Sequence, residues 1–83
     1  MKEKLERRKT HKVLLDTVDK VKEFVRYTSK FMKDAQLMSG RYIVDAKSIL
    51  GCMSLDLSKP VIVNVHEDDM ELADMLLKKF YVR

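Results

Sequence analysis

Val18, Val21, Phe24, Val25, Thr28 and Phe31 recur at helical spacing, while Asp19, Lys20, Lys22, Glu23, Arg26 and Lys30 fill the opposite side. No glycine or proline interrupts the run. This period predicts an amphipathic helix from about Thr17 to Phe31, with Asp16 or Thr17 as its cap. Such a stripe needs a second layer to cover it. The chain has 83 residues, enough for one domain and not for two. A chain of that size buries only about 60–65% of its unfolded surface, so the core is small.

The second layer is legible in the period-two stretches. Lys9 to Leu15 reads as a first strand, with Val13, Leu14 and Leu15 as its apolar part. Ala35 to Ser39 is a second strand, Gly40 a turn and Arg41 to Ala46 a third strand, which together make a hairpin. Alternation puts Tyr42, Val44 and Ala46 on one face of that third strand and Arg41, Ile43 and Asp45 on the other. Asp56 to Pro60 is a loop, because proline has no N–H for a sheet ladder. Val61 to His66 is the fourth strand, with Val61, Val63 and Val65 facing inward and His66 ending it on the exposed side. Glu67, Asp68, Asp69 and Glu71 begin a last helix and Lys78, Lys79 and Arg83 end it, charges that suit the helix dipole. Met70, Ala73, Leu76, Leu77 and Phe80 form its buried stripe, and Met32, Met38, Met70 and Met75 read as core filling.

Asp45 to Leu55 reads as the functional face. It starts as the polar end of a strand and turns at Ser48, which opens a short helix ending near Met53. The serine hydroxyl can accept from the first free amides of that helix, a cap that contributes about 1 kcal/mol. The same place, at the positive end of the helix dipole, suits a phosphate. Ile49, Leu50, Met53 and Leu55 follow as an apolar patch, with Ile49 expected to be partly core and Leu50 and Met53 more exposed. The full order is βαββαβα, an α+β chain with a mostly antiparallel sheet and its helices packed on one face.

The charge is uneven. Residues 1–12 carry six basic side chains (Lys2, Lys4, Arg7, Arg8, Lys9, Lys12) against two acidic ones, Glu3 and Glu6. That accounts for the whole net charge of +4, and the remaining residues balance. Residues 1–11 therefore read as a basic leader and 12–83 as the domain. A leader of this kind can reach toward nucleic acid or an anionic surface, but a neutral folded body argues against a nucleic-acid footprint. Cys52 is the sole cysteine, so no internal disulfide forms, and no Cys/His cluster has metal spacing. The thiol reads as inert. No segment has the length and apolarity of a membrane span or signal peptide, so no membrane insertion is expected and the cytoplasm is the default. No glycine-rich phosphate loop, nucleophile–base pair or catalytic carboxylate pair stands out, so an independent enzyme activity and a cofactor are not expected.

The run Ala46-Lys47-Ser48-Ile49-Leu50-Gly51-Cys52-Met53-Ser54-Leu55, followed by a loop, Pro60 and the strand Val61-Ile62-Val63-Asn64-Val65, resembles the HPr phosphocarrier family of the sugar phosphotransferase system. The Lys-Ser-Ile-(Leu/Met)-Gly-x-Met-Ser-Leu pattern resembles the Gram-positive members over about ten positions. The element order extends the resemblance from Val13 to the C-terminus, leaving the basic leader outside it. The resemblance implies an open-faced β-sandwich of four antiparallel strands with three helices on one side. It also implies a phosphoryl relay: a histidine at the start of the first helix, in a Leu-His-x-Arg-Pro setting, takes phosphate from enzyme I and passes it to sugar-transporter subunits.

Counting back from Phe24 and Val25, the matching place falls on Asp16, Thr17, Val18 and Asp19. Histidine, arginine and proline are all missing there, and Thr17 most nearly takes the histidine position. The loop before the helix also reads as shortened. A threonine hydroxyl cannot form a labile phosphoramidate, and Asp16 and Asp19 would repel a phosphohistidine donor. His11 and His66 read as exposed residues of the leader and of a strand end. Ser48 does match the family: in Gram-positive relatives the corresponding serine is phosphorylated by an ATP-dependent HPr kinase. Lys47, Ile49, Leu50, Met53 and Leu55 match the positions that meet partners, namely the kinase, transport subunits and a transcription regulator. The expectation is a regulatory or adaptor protein centred on Ser48. Two readings stay open beside it: a carrier using a non-standard acceptor such as His11, and a small nucleic-acid binder using the leader.

Overall fold

Strand β4 (Val61–His66) is the centre of the sheet. It is rich in β-branched residues, and its Val61, Val63 and Val65 are all buried, as their spacing predicts. The computed structural model describes residues 7–82. In it β4 pairs on one side with β1 (Arg8–Val13) and on the other with β2 (Ala35–Ser39), which in turn pairs with β3 (Tyr42–Asp45). All three pairings are antiparallel and the order across the sheet is β1-β4-β2-β3. Between the strands run α1 (Val18–Thr28), the five-residue α2 (Ile49–Met53) and α3 (Met70–Leu77). The element order is the one read from the sequence. Gly40, with a φ of 59°, makes the β2–β3 turn in the left-handed region that glycine occupies without strain.

Register sorts the side chains by face. His11 lies opposite Val63, Leu37 opposite Val63 on the other side, and Val44 opposite Leu37. This face packs against the helices, with Phe24, Leu15, Leu37, Leu77 and Val63 fully buried between the layers. Phe24 meets Phe80 edge to face at 5.8 Å, joining α1 to the turn after α3. The other face stays open and shows two rows that cross all four strands: Thr10, Asn64, Gln36, Asp45, and Lys12, Ile62, Met38, Ile43.

Several expectations need correction. β1 begins at Arg8 and ends at Val13, so Arg8 to His11, grouped with the leader by charge, are hydrogen-bonded strand. Residues 1–6 of that leader, and Arg83, lie outside the described residues. His66 is buried rather than exposed, because its ring folds back to cap the following turn: Nδ1 accepts from the Asp68 amide at 2.9 Å. That turn, Glu67–Asp69, is a 3-10 turn, and α-helix proper starts only at Met70. His11 is half-buried, stacked on Tyr81 with ring centroids 4.1 Å apart. Met32 and Met75 are 81% and 70% exposed and Met38 lies on the open face of the sheet, so these three fill no core.

Two ties close the structure. Tyr81 bridges Val13 on the outer edge of β1, where Leu14 donates its amide to the Phe80 carbonyl and Val82 donates to the Lys12 carbonyl, each at 2.9 Å. At the other end the buried Asp69 carboxylate accepts from the amides of Met32 and Lys33, both at 2.9 Å. The sequence suggested only a helix-start acid there.

Candidate functional site

The turn between β3 and α2 is set by short-range bonds. The Asp45 side chain accepts from the Lys47 amide at 2.9 Å, and the Asp45 carbonyl accepts from the Ser48 amide at 3.1 Å. Ser48 then takes the extended backbone of an N-cap, and its Oγ accepts from the Gly51 amide at 3.0 Å. The side of α1 holds this turn as well: Thr28 donates its buried hydroxyl to the Ala46 carbonyl at 2.7 Å. Lys47 does not project into solvent. Its ammonium donates to the Phe31 carbonyl at 3.0 Å, just past the C-terminal end of α1, where the helix dipole favours a cation.

A five-residue helix has little inward face. In α2 that face is Cys52, which is fully buried. Burial, with the Asp45 charge adding, pushes its thiol up to about 11, so it carries no reactive thiolate near neutral pH. The neighbours of Cys52 turn outward. Leu50 is 84% exposed, and Ile49 and Met53 are exposed to 41% and 44%. Leu55 is half-buried and packs against the core. Leu15 from the β1–α1 connection and Thr17, Val18 and Val21 from the start of α1 face Met53, Leu55 and Leu57 across a groove of about 270 Å³. Val18 and Leu57 extend the apolar patch beyond what sequence reasoning found. Val18 sits on the helical stripe and so reads as core, yet the stripe begins before the sheet can cover it.

Thr17 stands where the family resemblance puts a histidine. It is the N-cap of α1, with Oγ1 accepting from the Lys20 amide at 3.1 Å. Asp16 beside it takes the Lys20 ammonium at 2.9 Å, which holds its carboxyl below the ordinary 3.8. Both described histidines lie elsewhere. His11 Nε2 is 3.2 Å from Asp74 Oδ1 but makes no well-directed hydrogen bond. Burial works to raise the Asp74 carboxyl; the Tyr81 hydroxyl and the Lys9 ammonium outweigh it and leave it below 3.8. Burial, with the Asp74 partner, pushes the Tyr81 hydroxyl well above its ordinary 10.0. This cluster pins the C-terminal segment to β1.

Arg8 and Lys9 of β1 are also engaged in the fold. The Arg8 guanidinium donates to Asn64 Oδ1 at 2.9 Å and to the Asp34 carbonyl at 2.8 Å, and Lys9 pairs with Asp74 at 3.4 Å. Among the described residues no group of three or more His, Cys, Asp or Glu is placed to hold a metal ion. Among them, too, no helix is long and apolar enough to cross a membrane.

No protein-family model and no curated protein matches the chain. A solved structure does: that of HPr-C-His from Thermoanaerobacter tengcongensis, 27% identical, superposing with a TM-score of 0.68 over 89% of this chain and 94% of that one. The chain has the HPr-like fold, and the likeness supports a phosphocarrier-related protein.

Proposed function

We propose that this HPr-like chain works as a regulatory adaptor, through Ser48 and the apolar patch beside it, and not as a phosphohistidine relay. What supports the reading is Thr17, which by the resemblance most nearly takes the relay position: it has no imidazole, and its hydroxyl caps α1. The surface around Ser48, by contrast, keeps what a partner needs. Leu50, Ile49 and Met53 are outside the core, and an exposed apolar cluster of this kind suits a protein partner better than bulk water. By resemblance those partners are HPr kinase, a transcription regulator or transport subunits. Phosphorylation of Ser48 Oγ by ATP, with ADP leaving, would add about −1.5 to −2 charges next to that patch.

The test is paired labelling of the whole chain. In one arm it meets enzyme I and phosphoenolpyruvate, in the other HPr kinase and ATP. Label from ATP that vanishes in Ser48→Ala, with none from enzyme I, is the expected result. Efficient labelling by enzyme I would overturn it in favour of a carrier with an unconventional acceptor. A steep salt dependence of RNA or DNA binding would favour the nucleic-acid reading instead.

A further inference from the structure

Lys47 precedes Ser48 directly, yet its ammonium is bound to a carbonyl on another element. That carbonyl belongs to Phe31, whose amide in turn closes the turn after α1 on Thr28. The Thr28 hydroxyl reaches back to Ala46, so the α1 end and the Ser48 turn hold each other at two points. One of the two bonds is made by a cation, and the acceptor it has is neutral. An ammonium bonds more strongly to a doubly charged phosphate than to an amide oxygen, and a lysine stem is long and flexible enough to change partner. The nearby Asp45 carboxylate, held by the Lys47 amide, would be a like charge to any phosphate on Ser48, which favours bringing a cation in.

We infer that Lys47 is the switch that reads the modification of Ser48: on phosphorylation its ammonium leaves the Phe31 carbonyl for the phosphate, and the turn at the end of α1 loosens. This rests on the proposal that Ser48 is phosphorylated. The loosening stops short of the next two residues, because the Met32 and Lys33 amides are held independently by the buried Asp69. The modification is thereby felt at the far end of α1 as well as on the apolar patch.

The experiment uses the full chain with phosphoserine placed at position 48 by genetic code expansion, so that it does not depend on any kinase. Failure of HPr kinase to label Ser48 sinks the functional proposal; the outcomes here bear on Lys47 alone. Amide exchange by NMR is expected to quicken at least threefold at Lys30 and Phe31 in the phosphorylated chain, and to stay unchanged at Met32 and Lys33. Lys47→Met in the unmodified chain should give the same pattern, and should add nothing in the phosphorylated one. The 31P titration midpoint should rise by about 0.5 of a pH unit in Lys47→Met and stay near the parent value in Lys47→Arg. Unchanged exchange at Lys30 and Phe31 on phosphorylation, or a 31P midpoint indifferent to Lys47→Met, overturns the inference.

Discussion

One carboxylate, Asp69, fixes the chain where α1 gives way to β2. It is 2% exposed and accepts from two amides of a loop 36 and 37 residues earlier. Removing it takes the acceptor from two part-buried amides and empties a buried site, so Asp69→Ala should cost about 1–3 kcal/mol. Asp69→Asn keeps one acceptor oxygen and should cost about half as much. Urea unfolding checks both, through a lower midpoint at unchanged slope. A second carboxylate acts through pH. Glu23 takes the Lys79 ammonium and the Tyr27 hydroxyl, the ammonium bond being the larger influence, and both hold its carboxyl below 4.5. Its folded value thus lies under its unfolded one, so its contribution is full above 4.5 and fades as the pH drops through the folded value. The urea midpoint of Glu23→Gln, followed from about pH 6 to about pH 3, should fall less steeply than that of the parent chain. Such pairings are not legible in a sequence. Glu23 and Lys79 are 56 positions apart, and nothing local marks Asp69 off from the acids around it.

At the scale of elements, the caps and the periods were legible and their interruptions were not. Thr17 and Ser48 cap α1 and α2 as expected, since a short hydroxyl before a helical run has few other uses. Ser48→Ala should therefore cost about 1 kcal/mol in thermal or urea unfolding, apart from any effect on labelling. Leu50→Ser should do the reverse. At 84% exposure Leu50 buries little, so stability should move by less than about 0.5 kcal/mol while labelling by HPr kinase drops at least tenfold. The start of α3 was less legible because the cap there is a histidine ring: the bond from the Asp68 amide to His66 holds the 3-10 turn before α3. Met32 and Met75 were misread for a related reason. Both are apolar residues beside an inward stripe and not on it: Met32 lies beyond the end of α1 and Met75 on the outer side of α3.

For the whole molecule, strand pairing sets both what could be foreseen and how the chain folds. The βαββαβα order with sparse turn residues leaves few ways to close an antiparallel sheet over three helices, so the architecture was legible from the order. The site was legible in part. Ser48 and its patch are contiguous in sequence, whereas the groove that joins Met53 and Leu55 to Val18 and Leu57 is made by packing. Pairings such as Arg8 with His66 join residues far apart in the chain, which predicts refolding in milliseconds to seconds rather than microseconds, measurable by stopped flow. The position of β1 has a further consequence during synthesis. A nascent chain emerging from the ribosome has no partner for Arg8–Val13 until Val61–His66 has been translated, and the outer side of that strand waits for Tyr81. The first strand made is thus among the last to be secured, and until then its unpaired edge is a target for chaperones.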